Sequence, residues 1–390
     1  ILSQLVLVKR GENMKLKIKN IISFFLNKLF AIFPIVPNKI VFESGRDLID
    51  GNAKAIYNYI KKNDINNYRT IWLVTKSTDV SDIDTNDYAY YKTLKGLYHL
   101  STAKYLLKNQ SIGEIITKKK GQIYIQLFHG NGVMKKQGYD VNEAIERPVV
   151  SHAKEWDYYI ANDENDEKTI RSATGYNGKI EILGMAAVDT VINNCKDEQK
   201  KQNVLKHLNI NNSKKNILYA PTFRDYDLDK NIINIPIKEL SKLKDYNIII
   251  RLHPLVRTKV DKSLFNLDNF INGCNYPDVS DILAITDILI TDYSSVFYEY
   301  MPKNSPIIFY PYDYDKYVAL RGGFYVDYKK ELPGPICYTE KELLNVIKKI
   351  DEIYPQYIEK RRKFNKKYNN LSDGKASERL VNNLINNKFK

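Results

Sequence analysis

From Lys39 onward, short apolar runs alternate with longer amphipathic stretches, and this alternation decides what the chain can fold into. Ile40-Val41-Phe42, Ile71-Trp72-Leu73-Val74, Ile123–Phe128, Tyr158-Tyr159-Ile160 and Ile180–Leu183 are too short for helices and are apolar on both faces or nearly so. Strands of that kind must be covered on both sides, as parallel sheets flanked by helices are. A polar stretch from Asn193 to Asn216 reads as a helix plus linker. A second set of runs follows at Ile217–Ala220, Ile248–Leu252, Ile288-Leu289-Ile290 and Pro306–Tyr310, and beyond Thr339 the periodicity is helical. The pattern predicts an α/β protein with two Rossmann-like domains facing a cleft. We expect a membrane-surface helix over residues 14–38, domains over 39–195 and 196–372, and a C-terminal helix over 373–390.

The 390 residues suffice for two cores. Sixty Lys plus Arg against 46 acidic residues leave a net charge of +14, so anionic partners are expected. Nucleic acid is not among them, because no helix-turn-helix, zinc-finger or RNA-binding signature is present. Cys195, Cys274 and Cys337 form no pairwise motif, which excludes a disulfide scaffold and a cysteine zinc site and points to a reducing compartment. Between Met14 and Pro34, Ile18, Ile21, Ile22, Phe25, Leu29 and Ile32 recur at helical spacing among lysines. Ser23 and Asn27-Lys28 interrupt the run short of the ~20 apolar residues of a spanning helix. Such a helix suits an anionic membrane surface or, equally, the first domain's core. Arg10-Gly11-Glu12-Asn13 can be encoded by a purine-rich, ribosome-binding-like stretch, so translation is expected to begin at Met14.

In open parallel sheets, ligands bind beyond the carboxyl ends of the strands. That rule selects His129, after Gln126-Leu127-Phe128, and His253, after Ile250-Arg251-Leu252. It also selects Thr291-Asp292-Tyr293-Ser294-Ser295, where a buried run gives way to a new helix. A helix start offers unpaired N–H groups that suit a phosphate, and Asp292, Ser294 or Ser295 serves equally as a cap.

Several blocks occur in a telling order: Gln126–Gly130 with Lys135-Lys136, Leu218–Asp225, Arg251–Pro254, Thr291–Ser295, Arg321–Tyr325 and Leu332–Pro335. Together they resemble the CDP-glycerol glycerophosphotransferases, the teichoic acid primases and polymerases, over roughly residues 39 to 375. The resemblance implies a GT-B fold, a CDP-polyol donor held by the C-terminal domain, and peripheral attachment to the cytoplasmic face of a bacterial membrane. The family usually has Thr-Pro where this chain has Asn131-Gly132, and Gly-x-Pro-Arg-x-Asp where it has Gly184–Asp189. Both departures fall on the acceptor side, so a capsule or other surface polymer stands beside teichoic acid as the product.

The implied reaction moves glycerol phosphate, or another polyol phosphate, from a CDP-polyol to a hydroxyl of a lipid-linked or polymeric acceptor, releasing CMP. His129 and His253 are the catalytic candidates. His129 is the first choice of base, and His253 either shares that role or, protonated, stabilises phosphoryl oxygens. Thr222, Arg224, Arg251, Asp292, Ser294, Ser295, Arg321, Gly322 and Gly323 are assigned to the donor. Gly130, Asn131, Lys135 and Lys136 are assigned to the acceptor side. Asp313-Tyr314-Asp315 reads as a turn and not a metal site, so neither metal nor cofactor is expected. A nucleotide-sugar glycosyltransferase and a non-catalytic membrane adaptor are the rival readings.

Overall fold

The computed structural model describes residues 22–45, 47–65, 67–110, 116–130, 132–141, 148–224, 236–257 and 260–390. Two parallel sheets dominate. The first holds β1 (Val36–Glu43), β2 (Arg69–Val74), β3 (Tyr88–Tyr90), β4 (Ala103–Lys108), β5 (Ile123–Gln126), β6 (Tyr158–Ala161) and β7 (Lys179–Ile182) in the order 3-2-1-4-5-6-7. The second holds β8 (Lys215–Tyr219), β9 (Tyr246–Ile250), β10 (Phe270–Asn272), β11 (Ile288–Thr291) and β12 (Ile307–Phe309) in the order 10-9-8-11-12.

Side chains alternate across each strand, so both faces of both sheets feed a core. Ile40 and Phe42 enter one cluster and Val41 another. In the second sheet Ile248 and Ile250 face one way and Ile249 the other. This double burial is why the strands carry near-continuous apolar runs. The expected runs match β1, β2, β5 to β9, β11 and β12 within a few residues. Three strands were not expected. β3 and β10 are edge strands of three residues, and β4 ends in Lys108, whose ammonium is buried 3.3 Å from Glu43.

Two helices cross between the halves. The helix Ala186–Lys196 sends Val188 and Val191 into the core under the second sheet, beside the helix Val279–Ile285. The C-terminal helix Ala376–Ile385 returns to the first half, where Leu380, Val381 and Leu384 pack with Ile40, Phe42 and Ile56. Of the expected membrane-surface helix, residues 14–21 lie outside the described residues, and a helix spans 22–31. Phe30 is buried, and Leu26 and Phe33 pack on the first core. Ile22, Phe25, Leu29 and Ile32 are exposed along another stripe. Among the described residues, no helix is long and apolar enough to cross a membrane.

Candidate active site

His129 leaves the first sheet at a strained corner. Phe128, just before it, has φ +57°, a left-handed conformation that costs an L-residue ~1–2 kcal/mol. Asn52 holds the corner: its Nδ2 donates to the carbonyls of Leu127 (2.9 Å) and Phe128 (3.2 Å), and its Oδ1 accepts from the N–H of Ala187 (2.9 Å). His129 stands with its ring 4.7 Å from that of Phe128 and its Nδ1 3.0 Å from the Gln110 side-chain amide.

The strand order of the second, all-parallel sheet reverses between β8 and β11, the switch point where such a sheet opens a crevice. Ala220–Thr222 and Asp292–Ser295 emerge there. Asp292 Oδ1 accepts from the N–H groups of Thr222 (2.8 Å) and Tyr293 (2.5 Å). Arg224 lies 2.8 Å from Asp292 Oδ2, pairs twice with Asp313 at 2.8 and 2.9 Å, and sits against the rings of Tyr293, Tyr312 and Tyr317. Its guanidinium is therefore spent on the scaffold. Arg251 likewise donates to the carbonyls of Gly273 (2.8 Å), Tyr276 and Pro277, bracing the loop beyond β10. His253 stacks on Phe223 with ring centres 4.3 Å apart, and its Nδ1 accepts from the N–H of Leu255 at 3.3 Å.

A cavity of about 400 Å³ joins the two halves, a size suited to a small-molecule ligand. His129, Lys135 and Lys136 line it from the first half, and Arg251, His253, Ser294, Ser295 and Arg321 from the second. Gly130 has φ +108°, and a Cβ there would lie 2.5 Å from Ser295 Oγ. Gly132 passes so near Asp166 that a Cβ would lie 2.6 Å from its carboxylate. Beyond Arg321, Gly322 and Gly323 turn the chain with φ +79° and +89°. Residues 323–325 then pair with residues 134–136: Lys136 N–H donates to Gly323 O (3.1 Å) and Tyr325 N–H to Met134 O (3.2 Å).

Two carboxyls face the same space. Burial, and then Asp278, push Asp50 up to about 7 against the pull of Arg251 and Lys54. Burial, Asp278 and Asp50 push Glu299 up to about 8.

The cavity thus gathers eight of the expected residues: His129, Lys135, Lys136, Arg251, His253, Ser294, Ser295 and Arg321. Gly130 reaches it through Ser295. Thr222, Arg224 and Asp292 instead form the buried knot beneath it, and Asn131 lies outside the described residues. The helix after Ser295 spans only Val296–Tyr300, so its dipole adds little. Asn52, Gln110, Asp50, Phe223 and Glu299 were not expected. For Asp50 and Asn52 a signal existed, since Asp50-Gly51-Asn52 opens the helix after the first strand, where such sheets bind ligands.

A family model for CDP-glycerol:poly(glycerophosphate) glycerophosphotransferase matches residues 25–386. The chain is 32% identical to a teichoic acid glycerol-phosphate transferase of Staphylococcus aureus (strain NCTC 8325 / PS 47), over 94% of this chain and 98% of that protein. It is also 32% identical to a teichoic acid poly(glycerol phosphate) polymerase of Staphylococcus epidermidis, covering 96% of this chain but 55% of that longer one. A solved histidine-to-asparagine variant of the wall teichoic acid polymerase TagF, soaked with CDPG, superposes with a TM-score of 0.82 at 29% identity. That superposition covers 99% of this chain and 98% of that one.

Proposed function

The chain belongs to the CDP-glycerol:poly(glycerophosphate) glycerophosphotransferase family, and from that premise we propose how its cavity performs the transfer. It moves glycerol phosphate from CDP-glycerol to an acceptor and releases CMP, in the synthesis of a teichoic-acid-type polymer. We read its two sheets as the paired Rossmann-like domains of a GT-B enzyme. On this reading residues 39–195 serve the acceptor, a lipid-linked or polymeric hydroxyl, and residues 196–372 the donor.

The acceptor oxygen forms a bond to the phosphorus that carries glycerol. The bond from that phosphorus to the oxygen bridging to cytidylate breaks, and CMP leaves with the electron pair. The acceptor's proton goes to His129. The Gln110 side-chain amide, its Nε2 3.0 Å from Nδ1, orients the ring for this role. His253 takes the complementary part. With Nδ1 accepting from Leu255, its neutral ring carries the proton on Nε2 and offers an N–H to the phosphoryl oxygens. Ser294, Ser295 and Arg321 hold the diphosphate, and Lys135 and Lys136 draw in an anionic acceptor. The exposed stripe of Ile22, Phe25, Leu29 and Ile32, with the net charge of +14, supports peripheral binding at the cytoplasmic membrane face.

One observation carries this reading: a single cavity holds His129, His253, Ser294, Ser295 and Arg321. A calorimetric panel of CDP-glycerol, CDP-ribitol and UDP- and GDP-sugars tests it. CDP-glycerol is expected to bind without acceptor. Selective binding of CDP-ribitol would keep the chemistry and change the substrate, and binding confined to a UDP- or GDP-sugar would overturn the reading.

A further inference from the structure

Arg321 enters the cavity from the second half, yet the chain just beyond it is fastened to the first. Gly322 and Gly323 separate the two regions, and around Gly323 there is open space where a side chain would be. These glycines bring no stiffness of their own. What fixes the segment is the pairing of residues 323–325 with residues 134–136, including an antiparallel bridge between Lys135 and Phe324. Tyr325 ends it. Its hydroxyl donates to Asp140 Oδ2 at 2.6 Å and accepts from the N–H of Gln137 at 3.4 Å.

Asp140 is in turn immobilised on the body of the first half. Its Oδ1 accepts from Ser172 Oγ at 2.6 Å. It belongs to the turn Gly138–Asp140, seated on the helix Glu164–Thr174. At Gly138, with φ +57°, a Cβ would lie 1.8 Å from the Ala173 carbonyl oxygen, so backbone rests on backbone. A continuous set of restraints therefore runs from Ala173 through Gly138, Asp140 and Tyr325 to the residue pair that follows Arg321. Burial, then Asp140, raises the Tyr325 hydroxyl above its usual range, so it remains a donor throughout the physiological range.

We propose that Tyr325 and Asp140 form a positioning pair that fixes Arg321, on the donor side, relative to His129 and the lysines 135 and 136 on the acceptor side. Neither residue of the pair lines the cavity. Their effect is on the alignment of phosphorus, attacking oxygen and base, where a displacement of about 1 Å costs up to ~10²-fold in rate. The inference rests on the reading of Arg321 as a diphosphate ligand.

The test is a double-mutant cycle on the full chain with CDP-glycerol as donor. Tyr325→Phe is expected to lower kcat by about 10- to 100-fold, with CDP-glycerol affinity and the urea midpoint held near the parent's. Asp140→Ala provides a second entry to the same cycle. In an Arg321→Ala background, Tyr325→Phe is expected to cost less than about twofold more, because the residue it positions is gone. Additive losses would assign Tyr325 to general stability and overturn the proposal, as would a parental kcat for Tyr325→Phe. Parental CDP-glycerol affinity of Arg321→Ala in calorimetry would instead sink the diphosphate assignment of Arg321, which keeps the two failures apart.

Discussion

Gly130 and Ser295 come from different halves of the molecule, and a methyl group on Gly130 would lie 2.5 Å from Ser295 Oγ. The glycine after the catalytic-base candidate is thus the floor on which a donor-side serine rests. Gly130→Ala is expected to cost ~1–2 kcal/mol in urea denaturation from its φ of +108° alone. It is also expected to weaken CDP-glycerol binding by displacing Ser295. Parental affinity in calorimetry would show that Ser295 does not hold the donor from this position.

His129→Ala and His253→Ala are each expected to reduce turnover by at least ~10²-fold, the usual worth of a positioned proton donor or acceptor. His207, beside Tyr276 at a ring distance of 5.1 Å, lies outside the cavity, and His207→Ala should turn over like the parent. Near-parental turnover by His129→Ala would remove it as the base.

The two arginines of the donor motifs should behave oppositely. Arg321→Ala is expected to weaken CDP-glycerol binding by ~1–3 kcal/mol, as loss of a hydrogen bond to a charged group does, with little loss of stability. Arg224→Met takes the guanidinium from the buried Asp292 and the half-buried Asp313 and is expected to destabilise the fold by ~3–5 kcal/mol. Denaturation and calorimetry on the same two variants separate these outcomes. A stable Arg224→Met that fails to bind donor would reverse the assignment.

Asp50 and Glu299 set a pH dependence. Their folded values, about 7 and about 8, lie above the ~4 of an unfolded carboxyl. The folded state therefore holds more protons between these limits. The stability they contribute is complete below about pH 4 and is lost as the pH rises through about 7 to 8. Asp50→Asn and Glu299→Gln should flatten that loss when denaturation is followed against pH. A slope unchanged in both variants would assign it to other groups, such as Asp166.

Phe25→Ser with Ile32→Ser, on the exposed stripe that runs along the helix over 22–31 and the turn just after it, should weaken binding to vesicles containing anionic lipid, and so should added salt. Phe30, buried in the first core, is unsuited to this test because its loss would disturb folding. Vesicle binding equal to the parent's would place the membrane contact elsewhere.

The central strands were legible because burial on both faces leaves a mark in composition, as at Ile248-Ile249-Ile250. Edge strands bury less and leave no such mark, which is why β3 and β10 escaped notice. The place of His129 and His253 at the cavity was legible because strand ends in parallel sheets are where ligands bind. The function of a charge was not: Arg224 and Arg321 stand in equally suggestive motifs, and only their partners separate scaffold from cavity. Asn52 escaped for a related reason. Its bonds run to residues 75 and 135 positions away, and no local pattern encodes them.

The return of the helix Ala376–Ile385 to the first half bears on how the protein is made. Leu380, Val381 and Leu384 complete the packing around Ile40, Phe42 and Ile56, residues that leave the ribosome more than three hundred positions earlier. Amino-terminal domains ordinarily fold while the rest of the chain is still being synthesised. Here part of one apolar face of the first sheet is covered only by the helix Ala376–Ile385, so closure of the first core waits for the second half to emerge.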